Sequence, residues 1–341
     1  KLNLQKIAPG AAIFKNKKQK IIGDPLRDLF FLLPTLFSGI GNFQDKIKIL
    51  QLNAELKKKS LLAIFSTPSE KTSTYLTKFG FSEGMISNFF KPFFSGIFLE
   101  TKLETSSRMF EFVYKMFGEG YATIPKSGME AIPKQLLKQL KNTTFKYNTK
   151  VAEVNEGEIV LEDQTKIKSH FTLIATQASR LLPNLNKQSI SWKSCVNLYF
   201  ETDKRTIKKP LIGLIAKQSS LVNNIFYTTS IATKTRAKKE LLSVTVIDTQ
   251  NLSKETLLKQ VKKELKELCG IDADQLVKQY TIPMALPNLA NLTHELDPID
   301  TQVGNTLFVA GDTLLNASLN AAFIAGETAA LRLAKVASKR R

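Results

Sequence analysis

Cysteine, histidine and glycine are scarce in this chain, and each shortage excludes a class of protein. Two cysteines, Cys195 and Cys269, cannot supply a disulfide framework, and neither stands in a CxxC or paired-histidine spacing suited to zinc. Two histidines, His170 and His294, rule out a histidine-rich metal centre, so no metal site is expected. Glycine numbers 16 in 341 residues, below the roughly 7 per cent of ordinary proteins. Long apolar runs are also missing. The most apolar early stretch, Leu29 to Leu33, halts at Pro34, far short of the roughly 18–20 residues a membrane span needs. No transmembrane or signal segment is expected. The chain reads as soluble and cytoplasmic, with peripheral contact at an anionic membrane as the exception left open. Arginine makes up only eight of the 49 basic residues, and no helix-turn-helix, zinc finger or aromatic RNA-binding signature occurs. Nucleic acid is therefore not an expected partner.

What is present describes an ordinary globular protein, 43% apolar and 23% charged. The formal charge of +19 comes from lysines spread along the whole chain, in groups such as Lys15, Lys17, Lys18 and Lys20, residues 57–59, and Lys238 with Lys239. That distribution suits a solvated surface more than a single binding stripe.

Residues 11–15 and 20–22 flank a polar stretch at 16–19 and predict a short hairpin. Asp24 and Pro25 then predict a helix start that Pro34 limits. Helical patterns follow over 45–59 (Ile47, Leu50, Leu52, Leu56), from Thr67, from Ser82, and over 104–117, where apolar residues surround most of the circumference. Residues 24–120 thus read as mostly helical. A further helix spans 130–140, with Ile132, Leu136, Leu137 and Leu140 on one face. Strands are predicted at 144–155, 159–161, 171–176, 191–201, 211–216, 224–229, 241–247 and 275–282. An amphipathic helix at 253–268 interrupts them.

The end of the chain carries the most information. Residues 307–330 read LFVAGDTLLNASLNAAFIAGETAA. An apolar strand ends at Gly311, where backbone can approach a ligand closely. Asp312 then occupies the carboxyl end of that strand, the usual ligand crevice of an open α/β sheet. Ser318 predicts an N-cap, leaving the N–H groups of Leu319, Asn320 and Ala321 at a positive helix end. Ala322, Ala325, Gly326, Ala329 and Ala330 form a small-residue stripe for close packing on a sheet. An alanine-rich helix lying on a strand, with Asp312 merely capping the turn, satisfies the same residues. The pattern by itself leaves both readings open.

This ending resembles the C-terminal flavin-binding motif of the FAD-dependent amine oxidase, phytoene desaturase and protoporphyrinogen oxidase superfamily. Two further stretches are similar to that family: SGMEAIP at 127–133, and KVAEV at 150–154 with FTLIAT at 171–176. The segments FKPFFSG at 90–96 and ETSSRMF at 104–110 resemble a bacterial subgroup of it. The resemblance implies FAD as cofactor. It places Gly311 and Asp312 on the ribityl–pyrophosphate part and the helix start at Ser318, Leu319, Asn320 and Ala321 on the pyrimidine edge. It also places the Val151 backbone at the adenine, with Ala175 and Thr176 beside the dinucleotide. A helix N-terminus would stabilise the negative charge that reduced flavin gains at that edge.

One departure is large. The family opens with a strand, a GxGxxG turn and a helix, and nothing here fits. Gly39 and Gly41 have Gln44 where the third glycine belongs, and Gly118 and Gly120 have Thr123. The expectation is a chain beginning after that motif, with roughly 60–80 residues missing. The implied fold is mixed α/β. An incomplete Rossmann-like FAD domain (126–185 and 300–341) accompanies a substrate domain with an antiparallel sheet (1–23 and 186–299) and a helical region (24–125). The implied function is an FAD-dependent oxidoreductase removing a hydride from a C–N or C–C bond of a small, mostly apolar substrate. The alternative is a non-catalytic or membrane-surface binding module on the same scaffold. Catalytic residues are not identified, since the cofactor carries the chemistry. Trp192, Tyr199 and Phe200 are expected in the core, with a pocket wall as the alternative. Lys193 and Lys217 are expected in solvent, no motif supporting either as the flavin-proximal lysine of some amine oxidases. His170 and His294 are expected at the surface, and Cys269 as a buried thiol. Arg108 is read as a buried ion-pair member or a substrate-anion contact.

Overall fold

The structure, a computed structural model, describes residues 1–339 apart from 16, 26, 183–189, 232–238 and 274. Asn16 of the expected turn, Arg236, Lys238, Arg340 and Arg341 therefore lie outside the described residues. The chain forms two compact units. One comprises Lys1–Lys59, Pro68–Lys141 and Lys193–Ala285; the other comprises Ser60–Thr67, Asn142–Trp192 and Leu286–Arg341.

The first unit is built on a seven-stranded mixed sheet. Its order is Gln275–Pro287, Trp192–Thr202, Glu240–Val246, Val222–Tyr227, Ile212–Ile215, Gly10–Lys15 and Lys18–Gly23. The sheet is not wholly antiparallel as expected: Ile212–Ile215 pairs with Gly10–Lys15 in parallel, while Lys18–Gly23 closes the edge as the expected hairpin. Strand Gly10–Lys15 is buried on both faces. Ala12 and Phe14 point to a core shared with Leu198, Phe200, Leu242 and the helix Lys254–Glu264, while Ala11 and Ile13 meet a helical layer. This period-two division explains its run of apolar residues. The helical layer is aromatic: Phe94 and Phe110 lie 4.7 Å apart, with Phe90 5.9 Å from Phe110.

Asp45 couples two helix starts in this layer. Helix Phe43–Lys58 opens with a capping box, in which the Asn42 side chain accepts from the Asp45 amide and the Asp45 carboxylate accepts from the Asn42 amide. The same buried carboxylate accepts from the Ser82 amide at 2.8 Å and the Ser82 hydroxyl at 2.6 Å. Ser82 in turn caps Glu83–Met85, which runs on through a π-helical turn, Ile86–Phe90, into Lys91–Phe98. Helix Ser107–Glu119 buries two charged groups with their partners. Glu111 accepts from Lys59 at 2.6 Å and Tyr75 at 2.9 Å, while Lys115 donates to the Leu56 carbonyl and to Glu119.

Several local expectations are corrected. No helix opens at Asp24 and Pro25; a tight turn caps on Asp28 at Leu29–Phe31, and a short helix, Leu32–Leu36, keeps Pro34 in its first turn. Phe31 is buried against Gly23, and the Thr35 hydroxyl binds the Gly23 amide and carbonyl. On Phe43–Lys58, Leu52 and Leu56 turn inward, but Ile47 and Leu50 face solvent. Met116 and Phe117 are likewise exposed on Ser107–Glu119. The helix expected over 130–140 is Ala131–Leu137, with no buried residue. Helix Leu61–Ser66 and the strand pair Leu4–Lys6 with Thr123–Pro125 are additional elements.

In the second unit, Thr172–Ile174 and Leu307–Val309 form a parallel pair. Val151–Asn155, Glu158–Leu161 and Lys166–Lys168 form an antiparallel three-stranded sheet, shorter at its start than the predicted 144–155. Val154, Ile174, Leu182, Leu307 and Val309 make its core. Helix Leu319–Ser338 ends the chain. Its inward ridge is Ala321, Ala325 and Ala329; Ala325 and Ala329 of the predicted stripe are buried, but Ala330 is exposed and nothing approaches the Gly326 Cα face.

Asp45→Ala is expected to cost about 1–2 kcal/mol in urea unfolding, since two caps lose one acceptor. Burial raises the Asp45 pKa, but the bonds from the Ser82 hydroxyl and amide and the Asn42 amide, with Lys48 nearby, hold it below its ordinary value. A carboxylate held low contributes stability that is complete above its unfolded pKa and vanishes as pH falls through the folded one. The stability gap between wild type and Asp45→Asn should therefore narrow as pH drops below about 4. A gap constant from neutral pH to acid would exclude this role. Gly23→Ala is expected to cost about 1–3 kcal/mol, because its Cβ would overlap the Phe31 ring.

Candidate functional site

The parallel pair sets the geometry of the candidate site. Ile174 registers with Val309, and the Ala310 amide extends the ladder by donating to the Ile174 carbonyl at 2.9 Å. The carboxyl ends of both strands therefore share one edge. Ala175 and Thr176 leave it as exposed residues, and Gly311 and Asp312 leave it beside them. This edge is where open parallel sheets bind ligands.

Gly311 adopts φ +153°, a conformation that side-chain-bearing residues rarely enter. A Cβ there would meet nothing nearer than the Thr313 hydroxyl at 3.8 Å, so the space before this backbone is open and conformation alone demands glycine. Asp312 starts a tight turn whose carbonyl accepts from the Leu315 and Ala317 amides. Its carboxyl is half-buried. Desolvation pushes its pKa up, against the opposing influence of its own and the Thr313 amide. Among the described residues no cation pairs with it.

A polar relay fixes the following helix start. Buried Asn316 donates to the Thr293 carbonyl at 3.0 Å and accepts from the Ser318 hydroxyl at 2.7 Å. The Ser318 oxygen accepts the Ala321 amide at 3.0 Å, as an N-cap should. The expectation of a free Ala321 amide is thereby corrected: that donor is spent on the cap, and its side chain is buried. Leu319 and Asn320 are exposed, and first-turn amides such as theirs have no acceptor within a helix.

Val151 stands apart from this ladder. It opens a strand of the three-stranded sheet opposite Leu161, and its side chain packs against the core of the parallel pair. Sequence reading missed two polar residues here. Gln177 follows Thr176, and its buried Oε1 has no partner among the described residues; Asn316 is the buried hinge of the relay. A polar residue directly beyond an apolar strand was the available signal for Gln177.

The remaining candidates are placed elsewhere. Lys193 is not solvated: its ammonium donates to the Phe98 carbonyl at 3.0 Å and the Thr105 hydroxyl at 3.2 Å. Burial lowers its pKa, against the opposing charge of Glu100. His294 is half-buried and stacks on Phe65, with centroids 5.8 Å apart. Lys217 and His170 are exposed as expected. Cys269 is buried, and desolvation, reinforced by Glu264, pushes its thiol up to about 12. Phe200 is fully buried, Tyr199 meets Tyr280 edge-on at 6.0 Å, and the Trp192 indole N–H is buried without a partner among the described residues. Arg108 lies in the first turn of Ser107–Glu119. In the first unit, Phe112, Val113, Met116, Phe117, Tyr121 and Ala122 line an apolar groove of about 240 Å³.

Comparison with known proteins places the chain. No curated protein sequence matches it. The fold is similar to that of an oxidoreductase from Methanosarcina mazei, at 14% identity and TM-score 0.72, covering 97% of this chain and 82% of that one. It is also similar to putrescine oxidase bound to putrescine, at 13% identity and TM-score 0.65, covering 99% and 82%. A protein from Pyrococcus furiosus matches at 11% identity and TM-score 0.66, covering 98% and 79%. The sequence profile described as flavin containing amine oxidoreductase matches residues 9–334. Spanning nearly the whole chain, that match joins the mixed α/β fold in one conclusion: this protein belongs to the flavin containing amine oxidoreductase family and is an FAD-dependent oxidoreductase.

Proposed function

We propose that FAD is held at the carboxyl edge of the Thr172–Ile174 and Leu307–Val309 pair, and that the enzyme removes a hydride from a C–N or C–C bond of a small, mostly apolar substrate. The observation that carries this is the convergence of Gly311-Asp312 and Ala175-Thr176 at one edge. The Ser318-capped helix start follows Asp312 closely in the chain. The residues present suit such a group. The open space before Gly311 admits it, the half-buried Asp312 carboxylate lacks a cation and can accept from ribityl hydroxyls, and Gln177 offers an unspent acceptor. Val151, which the resemblance puts at the adenine, lies apart from this edge on the three-stranded sheet. No GxGxxG stretch occurs in these 341 residues; Gly311, Asp312 and the Ser318 helix start would serve the ribityl and pyrimidine parts, with Ala175 and Thr176 beside the dinucleotide.

When bound, FAD supplies hydride acceptance and its onward transfer. The chain's own residues orient and polarise. The first-turn amides of Leu319 and Asn320, which have no acceptor within the helix, favour negative charge at the helix start. Asn316 holds Ser318 in its capping rotamer, so this donor set is preorganised. The groove of the first unit, lined by Phe112, Val113, Met116, Phe117, Tyr121 and Ala122, supports a mostly apolar substrate.

Asp312→Asn is expected to weaken FAD binding about tenfold, a change typical of one lost charge-assisted hydrogen bond, followed by flavin absorbance near about 450 nm. Because burial raises the Asp312 pKa, its ionised form is unfavourable in the folded, flavin-free protein. Its contribution is complete below the unfolded pKa and lost as pH rises through the folded one. The flavin-free Asp312→Asn protein should therefore be more stable than wild type at neutral pH, while binding flavin more weakly. Unchanged flavin affinity would remove Asp312 from the site. Ser318→Ala should cost about 1 kcal/mol of stability and make the bound flavin harder to reduce, read as a lower potential in a dye-linked titration.

A further inference from the structure

We propose that the apolar face formed by residues 29–37 and the outer side of helix Phe43–Lys58 docks on an anionic lipid surface. The inference does not depend on where the flavin is held.

The face consists of large apolar side chains left in solvent. Leu29 is 80% exposed, Leu33 63%, Phe37 77% and Phe43 69%. Ile47 and Leu50 continue it, so that Phe43, Ile47 and Leu50 fall at i, i+4 and i+7 on one stripe of the helix. The opposite stripe, Leu52 and Leu56, is buried against the rest of the first unit. The helix is thus apolar on two sides and partnered on one. Proteins that work free in water rarely expose contiguous apolar surface of this kind.

The segment is held firmly from beneath. Phe31 is fully buried against Gly23, the Thr35 hydroxyl binds both backbone groups of Gly23, and the Lys46 ammonium donates to the Leu36 carbonyl. The outward residues are therefore presented by a fixed frame. Docking would order little that is not already ordered.

Charge selects lipid as the occupant. Lys46, Lys57 and Lys58 flank the stripe on its own helix. Lys209 lies 3.3 Å from the Phe30 ring. The nearby acids are largely engaged: Asp24 faces Arg27 at 3.3 Å, Asp28 faces Lys209 at 3.6 Å, and Asp45 is buried in its two caps. Glu55 is exposed among them. Aromatic and leucine side chains bordered by lysines match the acyl boundary and phosphate level of an anionic bilayer. Among the described residues no helix is long and apolar enough to cross one, so the contact would lie along the surface.

Sedimentation with vesicles tests this, using phosphatidylcholine alone and phosphatidylcholine mixed with phosphatidylglycerol. The purified protein should bind the mixed vesicles more strongly. Leu33→Glu/Phe37→Glu should weaken binding about a hundredfold, and Lys57→Glu/Lys58→Glu roughly tenfold. Circular dichroism and flavin absorbance should stay unchanged, because every substituted side chain is exposed. Absence of binding to either vesicle overturns the proposal. So does binding that salt abolishes and Leu33→Glu/Phe37→Glu leaves intact, which would mean surface charge only. A dimer that Leu33→Glu/Phe37→Glu dissociates, without vesicle binding, would assign the face to a second copy instead.

Discussion

Parallel pairing of Thr172–Ile174 with Leu307–Val309 brings together stretches widely separated in the chain, and the rest of the second unit is arranged around it. A parallel ladder aligns carboxyl ends, so any loop leaving one strand must emerge beside the loop leaving the other. The strands are short, yet Leu307, Phe308 and Val309 are all buried, and apolar packing fixes their register. Shifting either strand by one residue would turn Ile174 and Val309 out of the core they share with Val154 and Leu182. The open backbone at Gly311 therefore depends on side chains that never approach the edge.

The first unit rests on a different constraint. Strand Gly10–Lys15 must satisfy two apolar layers at once, and it does so with small and large residues on each face: Ala12 with Phe14, and Ala11 with Ile13. One layer is a sheet-covering helix, the other an aromatic cluster centred on Phe90, Phe94 and Phe110. Glu111 and Lys115 enter this layer with partners, although the second Glu111 carboxylate oxygen has none among the described residues. Buried ionic groups of this sort are costly unless fully bonded.

Much of this was legible in the residues. Gly311-Asp312 followed by Ser318 specified a strand, a turn and a capped helix, and all three are found. Alternation located most strands to within a few residues. Three kinds of feature were hidden. A periodic apolar stripe does not say which side faces inward, so Ile47 and Leu50 read like Leu52 and Leu56 although they point outward. A polar residue does not announce a distant partner, as Lys193 shows with the Phe98 carbonyl. And a helix start does not reveal which of its amides the cap consumes; at Ser318 it is that of Ala321. Each depends on tertiary contacts that local pattern does not encode.

The shared carboxylate of Asp45 has a consequence for motion. Helix Phe43–Lys58 and the helical run from Glu83 begin on the same two oxygens. Neither start can unravel alone without leaving a buried charge short of donors in the other, which is costly. The two helix starts are thus thermodynamically linked, since loss of either deprives the other of part of its cap.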